Sequence, residues 1–304
     1  MIYDMMIIGA GPAGLTAGIY AARAGLKAVV FEKQFAGGQM TKTDLIENYP
    51  GIVSVTGVDF SMQMQAHAVE AGADIQTVDI DKLELSGKVK KVFSGEEVFE
   101  GKTVVLAMGA QPRKLNLESE LKLAGRGVSY CATCDGAFFR GKDVAVIGGG
   151  DTAAEDALYL SKIASRVFMV HRRDALRAEQ YLGERIEKTD NIEMVWDSTL
   201  DQITGENVVD GIDVVNKNTG ETRHIPVSGT FIAVGVVPES ALVKDQVKID
   251  DQGYVVADET CETDVPGVFV AGDLRGKKLR QIVTATADGA VAVAAVEEYL
   301  NRQG

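Results

Sequence analysis

Short apolar runs closed by glycines set the rhythm of this chain. Residues 3–8 are mostly apolar and too few for a stable helix, which predicts a buried strand. They run into Gly9-Ala10-Gly11-Pro12-Ala13-Gly14, after which helix-forming residues continue through Ala24 to a stop at Gly25. Residues 27–31 form a second apolar run ending in Glu32. Strand, glycine turn, helix and strand make a βαβ unit. The same pattern returns downstream as a strand over 144–147, the turn Gly148-Gly149-Gly150-Asp151-Thr152-Ala153, a helix over 154–164, and a strand over 166–170 that reaches His171. Gly9 to Glu32 is 23 positions and Gly148 to His171 is also 23, so the two units align without a gap.

A second echo marks the far end of each unit. Residues 104–112 and 230–238 both read as an apolar strand followed by Gly-x-x-Pro, a natural exit from one domain to another. At 304 residues two domains are expected. The pattern predicts an α/β fold of two Rossmann-like dinucleotide-binding domains, with residues 113–241 inserted into a discontinuous domain made of 1–112 and 242–304. Runs over 75–103 and 192–229, with turns at Ser94-Gly95 and Asn218-Thr219-Gly220, predict small antiparallel sheets. Nearer the C-terminus an apolar strand leads to Gly272-Asp273, followed by Arg280-Gln281-Ile282 and a small-residue helix through Ala295.

The two units differ where nucleotides are told apart. A glycine turn opening a helix lets phosphate oxygens approach the backbone and the free N–H groups of the helix start. In the first unit Glu32 ends the second strand, where a carboxylate accepts both ribose hydroxyls and repels a 2′-phosphate, which suits FAD or NAD. In the second unit the equivalent position opens His171-Arg172-Arg173-Asp174-Ala175-Leu176-Arg177. Arg172, Arg173 and Arg177 replace the acid with guanidinium forks suited to a phosphate dianion, which predicts NADPH over NADH. The plain alternative is a solvated basic loop.

Composition sharpens that contrast. A net charge of −13 argues against a nucleic-acid partner or an anionic membrane, and makes the arginine run stand out. Residues 5–22 carry no charge, but their glycines and Pro12 make a poor membrane helix and fit a buried strand, turn and helix. With no basic segment ahead of them, the expected location is cytoplasmic. Only three cysteines occur, two of them in Cys131-Ala132-Thr133-Cys134-Asp135-Gly136. This spacing can close a small reducible disulfide or supply half a zinc site. A structural zinc needs four ligands, and Cys261, His67, His171 and His224 form no second pair, so redox chemistry is the better reading and no metal is expected. Asp135, adjacent to the dithiol, can act as acid and base, or simply favour a turn before Gly136. Cys261, Trp196, Met62 and Met64 read as packing or surface residues, and His67 and His224 receive no role.

Taken in order, Gly-x-Gly-x-x-Gly, Cys-Ala-Thr-Cys-Asp-Gly, Gly-Gly-Gly-Asp-Thr-Ala, His-Arg-Arg-x-x-x-Arg and Gly-Asp…Arg-Gln resemble the low-molecular-weight, bacterial-type thioredoxin reductases over essentially the full length. The resemblance implies a homodimeric flavoprotein that passes electrons from NADPH through FAD to the dithiol and then to thioredoxin. It implies that Gly9, Gly11, Pro12, Ala13 and Gly14 hold the FAD pyrophosphate and Glu32 and Lys33 its ribose end. Gly37, Gly38, Gln39, Asn48, Gly272, Asp273, Arg280, Gln281 and Ile282 would line the rest of the flavin site. Gly148, Gly150, Asp151, Thr152 and Ala153 would hold the NADPH pyrophosphate, with His171, Arg172, Arg173 and Arg177 around the 2′-phosphate. Cys134 would be the thiol nearer the flavin, Cys131 the one that attacks the partner disulfide, and Asp135 the proton carrier. Rotation of the nucleotide domain in such enzymes presents nicotinamide and dithiol to the flavin in turn. Leu279 departs from the pattern, standing where an aromatic often precedes Arg-Gln. Competing functions are a flavin reductase or oxidase serving another dithiol partner, an NADPH–ferredoxin reductase, and a non-enzymatic flavin redox sensor.

Overall fold

In the computed structural model, residues 1–43 and 45–303 are described. The chain divides into two compact units, Met1–Gln111 with Val237–Gly304, and Pro112–Val236. Both crossings lie in short strands, Ala110–Pro112 and Val236–Pro238, which pair as a two-stranded ribbon. The return crossing thus falls a few residues before the position near 241 that the sequence indicates.

The first unit is built on a seven-stranded sheet. Ile2–Ile8 lies at its centre, parallel to Ala28–Glu32 on one side and to Glu97–Leu106 on the other. Met5, Met6 and Ile7 are fully buried, as continuous apolar runs must be when helices or loops cover both faces of a parallel sheet. Asp74–Thr77 extends the parallel edge beyond Ala28–Glu32. Glu97–Leu106 is long enough to change partner along its length. Its first half pairs antiparallel with Lys90–Ser94, and its last residues pair parallel with Val268–Val270. The run over 75–103 is therefore not a separate antiparallel sheet but a continuation of the main one.

One face of this sheet carries the helices Pro12–Arg23 and Ile282–Gln303, packed on each other through small residues. A Cβ at Gly289 would lie 2.3 Å from the Ala13 carbonyl oxygen, so only glycine allows this approach. The final helix spans Ile282–Gln303, running past Ala295 because Val296, Tyr299 and Leu300 keep packing beyond it. Asp288, inside that helix, is 7% exposed and accepts from Arg275 Nη2 at 3.1 Å, Lys277 Nζ at 2.9 Å and the Gly272 N–H at 2.9 Å. Each buried charge is thereby paired, which a carboxylate at this depth requires.

The second unit has a five-stranded parallel sheet in the order Ile192–Val195, Arg166–Val170, Asp143–Ile147, Gly229–Ile232, Val128–Ser129. Its glycine-turn helix spans Asp151–Leu160 rather than 154–164. Gly150 caps it, so helical geometry begins at Asp151, and after Leu160 the chain closes through tight turns in which Ile163 and Ala164 both donate to Leu160 O. Of the run over 192–229, Ile192–Val195 joins the parallel sheet. Ser198–Thr204, Gly211–Asn216 and Thr222–Ile225 form the separate antiparallel sheet. No helix among the described residues is long and apolar enough to cross a membrane.

Candidate active site

In the first unit the glycine turn follows the end of the central strand, where parallel sheets place their ligands. Gly14 packs its Cα against the turn so closely that a Cβ would stand 1.8 Å from Gly9 O, whereas a Cβ at Gly11 meets nothing within 4 Å. The turn is thus closed toward the protein and open on the side where phosphate would lie. Glu32 is held to this turn, its Oε2 accepting from Ala10 N at 2.8 Å and its Oε1 from Gln34 N at 3.2 Å. Lys33 points away to Asp79 at 3.0 Å, an exposed pair. Gly37, at φ +122°, donates to Ala10 O at 2.7 Å and brings Gly38 against Gly11. Gln39 is the second residue of the short helical turn Gly38–Lys42.

The rest of the site comes from far along the chain. Asn48 Nδ2 donates to Gln281 Oε1 at 3.0 Å, across 233 positions. Gly272, at φ +76°, follows the strand Val268–Val270 and lies against Ala13, where a Cβ on it would stand 2.9 Å from Ala13 Cβ, and Asp273 comes next. Burial pushes the Asp273 carboxyl up, with Lys277 and Arg280 opposing. Asp273 Oδ1 and Arg280 Nε are both buried without a hydrogen-bond partner among the described residues. A buried acceptor and donor left open in this way suit a ligand bearing hydroxyls and carbonyls. Arg280 stacks on Tyr254, with Cζ 4.0 Å from the ring centroid, so Leu279 does not leave the segment without an aromatic contact. Ile282 opens the final helix. These residues fit FAD.

The second unit repeats the device with different chemistry. A Cβ at Gly148 would stand 2.3 Å from Ala233 O, and Gly150 again faces open space. Asp151 is turned back to accept from Glu179 N at 2.8 Å, Thr152 is exposed and Ala153 is buried. Arg172, Arg173 and Arg177 are all exposed, and none has an ion-pair partner among the described residues. Arg177 is tied to the turn, its N–H donating to Gly149 O at 2.7 Å. These residues fit a dinucleotide carrying a 2′-phosphate. His171 lies differently from its three neighbours. It is 3% exposed, its ring fills the space where a Gly149 side chain would be, and Nε2 is buried without a hydrogen-bond partner among the described residues. Burial, with the three arginines adding to it and a backbone hydrogen bond at Ala175 opposing, holds its pKa down, which favours the neutral ring packed under the turn.

Cys131 and Cys134 are joined in a disulfide. Cys131 caps the four-residue helix Ala132–Asp135, and its carbonyl accepts from Cys134 N at 3.2 Å and Asp135 N at 3.1 Å. Both cysteines are partly exposed. Asp135 accepts from Ser129 Oγ at 2.5 Å. Tyr130, just ahead of Cys131, donates to the fully buried Glu120 at 2.8 Å, and Glu120 also takes the Leu115 and Leu117 N–H groups.

Three groups near these sites carry no sequence signature. Ser129 and Glu120 act through contacts that exist only once the chain has turned back on itself. Asp156, on the helix after the second glycine turn, has its carboxyl pushed up to about 7 by burial and then by Glu155. His224, given no role from sequence, pairs with Asp213 at 2.7 Å across two antiparallel strands. Cys261 is buried at φ +68°, donates to Asp288 O at 3.7 Å, and has its thiol pushed up to about 12 by burial, which marks it as packing and not redox chemistry.

Two dinucleotide-type turns of different charge, the second preceded in its own unit by a closed Cys-x-x-Cys disulfide, define a flavin- and nicotinamide-dependent disulfide oxidoreductase. Residues 3–289 match the pyridine nucleotide-disulphide oxidoreductase family, and the chain belongs to it. It is 44% identical to a thioredoxin reductase of Listeria monocytogenes over 98% of this chain and 94% of that one. The thioredoxin reductase of Bacillus subtilis is 42% identical over 98% of this chain and 95% of its own. Among solved structures, the thioredoxin reductase of Streptococcus pyogenes superposes with a TM-score of 0.93 at 42% identity, covering 99% of both chains.

Proposed function

We propose that this protein is an NADPH-dependent thioredoxin reductase, passing electrons through FAD and the Cys131–Cys134 pair to the disulfide of thioredoxin. The observation that carries the reading is the closed Cys131–Cys134 disulfide in the unit that also bears the arginine-lined nucleotide turn. Relatives bearing the thioredoxin reductase name, matched at 42–44% identity over 98% of this chain, support it.

When bound, FAD supplies two-electron chemistry, taking hydride from NADPH and delivering the pair to a disulfide. The first glycine turn and Glu32 orient its adenosine end, and Asp273 and Arg280 offer the buried acceptor and donor for the remainder. In the second unit Gly148 and Gly150 admit the NADPH pyrophosphate, and Arg172, Arg173 and Arg177 select its 2′-phosphate. Two electrons open the Cys131–Cys134 bond to a thiol and a thiolate. Cys131 thiolate attacks one sulfur of oxidised thioredoxin, forming a mixed disulfide and expelling the other sulfur as thiolate. Cys134 then attacks Cys131 Sγ, closing the protein disulfide and releasing reduced thioredoxin. Asp135, one residue from Cys134, holds and returns the proton that these steps require.

The working form is a homodimer, supported by Val58, Met62 and Val69, which leave an exposed apolar face on the helix Gly57–Glu70. Its location is cytoplasmic, a reading supported by only three cysteines, two of them in one redox pair. No nucleic acid or membrane takes part.

Cys131→Ser and Cys134→Ser each test the relay. Each variant should retain FAD and its reduction by NADPH, and lose thioredoxin reduction by about a thousandfold or more, as removal of a nucleophile does. Thioredoxin turnover at the wild-type rate by either variant would rule the relay out.

A further inference from the structure

Ser129 is 5% exposed and belongs to the two-residue strand Val128–Ser129, whose register is set by Thr230 and Phe231 of the neighbouring strand. Its single hydroxyl touches both ends of the redox turn. It donates to Asp135 Oδ2 at 2.5 Å and accepts from the Cys131 N–H at 3.1 Å. Cys131 O, at 3.4 Å, is the weaker alternative acceptor, because a charged oxygen at shorter range holds the proton more strongly. The base of this contact is rigid. Beyond Ser129 the chain is pinned again by Tyr130 on buried Glu120.

We infer that Ser129 is a positioning residue that keeps the Cys131–Asp135 turn closed when its disulfide is open. In the oxidised protein the S–S bond holds the turn by itself. In the reduced protein that bond is gone, and the helix Ala132–Asp135 has only a single turn of its own. A helix so short does not persist without outside contacts. The hydroxyl then ties the first residue of the turn to the last, keeping the two sulfurs near each other and the Asp135 carboxylate beside them. Re-closure after attack on a partner is correspondingly favoured, because less freedom is lost when the S–S bond forms.

This inference rests on the thioredoxin reductase reading only for its use in turnover; the clamp itself is tested without thioredoxin. FAD-loaded protein is equilibrated with glutathione buffers, where protein dithiol plus glutathione disulfide gives protein disulfide plus two glutathiones, and thiols are trapped and weighed. Ser129→Ala should lower the constant for disulfide formation about tenfold, because loss of one hydrogen bond cuts the closed fraction of the reduced turn by about that factor while the S–S bond keeps the oxidised turn closed. Ser129→Thr, which restores the hydroxyl, should recover most of it. An unchanged constant in Ser129→Ala would overturn the clamp. A second measurement needs no variant: hydrogen exchange at the Cys131 amide should stay slow in both oxidised and reduced wild-type protein. Rapid exchange on reduction would likewise overturn the clamp. Failure of the wild-type protein to reduce thioredoxin would instead remove the functional reading and leave the glutathione result standing.

Discussion

Arg172, Arg173 and Arg177 concentrate three exposed cations, without ion-pair partners among the described residues, on a chain of net charge −13. Such a cluster repels itself unless something anionic is bound, and a 2′-phosphate is the anion this register of a dinucleotide unit would meet. Replacing Arg172 by alanine should raise KM for NADPH about tenfold while leaving KM for NADH within twofold, since only the former carries the phosphate. Equal effects on both cofactors would return the arginines to a solvated loop. These charges were readable from sequence because their meaning depends on spacing alone. His171 was not, since nothing local distinguishes a ring at the surface from one 3% exposed beneath Gly149. Ser129 was harder still. Its partners are two and six residues away, and only the turn at Cys131 brings all three together.

At the scale of elements, glycines do much of the positioning, and their absence of a side chain is testable. Gly14→Ala would thrust a Cβ to 1.8 Å from Gly9 O, and neither backbone can yield without opening the turn. The expected cost is about 3 kcal/mol or more, with protein purifying largely free of FAD. Retention of full flavin content and an unchanged melting temperature would contradict the close packing described. Asp156 offers a test of opposite sign. Its folded pKa is raised to about 7 from 3.8, so the native state binds the proton more tightly than the unfolded chain. Stability is then lost as pH rises from 3.8 toward about 7 and stays low above that. Asp156→Asn should match the wild type near the acid end and exceed it at pH 8 by about 2 kcal/mol, measured as denaturant midpoints across pH. A constant difference at all pH values would show that Asp156 ionises normally. The βαβ units were legible because a short continuous apolar run gives way to a helix-forming stretch at each glycine turn. The sheet membership of 75–103 was not, because Glu97–Leu106 takes different partners in its two halves and no periodicity records that.

The whole molecule repeats one supersecondary device and changes the chemistry at its tips. Glu32 and His171 occupy the same position in their units, yet one carboxylate binds back to Ala10 N while the other side chain is withdrawn and leaves the task to arginines. The insertion of one unit into the other was visible in the matching Gly-x-x-Pro exits at 109–112 and 235–238, and the structure carries both crossings on paired strands there. What no local pattern could convey is the buried cluster of Arg275, Lys277 and Asp288 that fixes the Gly272–Asp273 turn, because it joins charges from a loop to the middle of an apolar helix. The central claim is that electrons entering from NADPH leave through the dithiol to thioredoxin. Its most direct test is NADPH oxidation by the FAD-loaded protein, followed with and without oxidised thioredoxin. The account predicts slow oxidation alone and strong, saturable stimulation by thioredoxin. Rapid flavin reduction by NADPH with no stimulation by thioredoxin would contradict it.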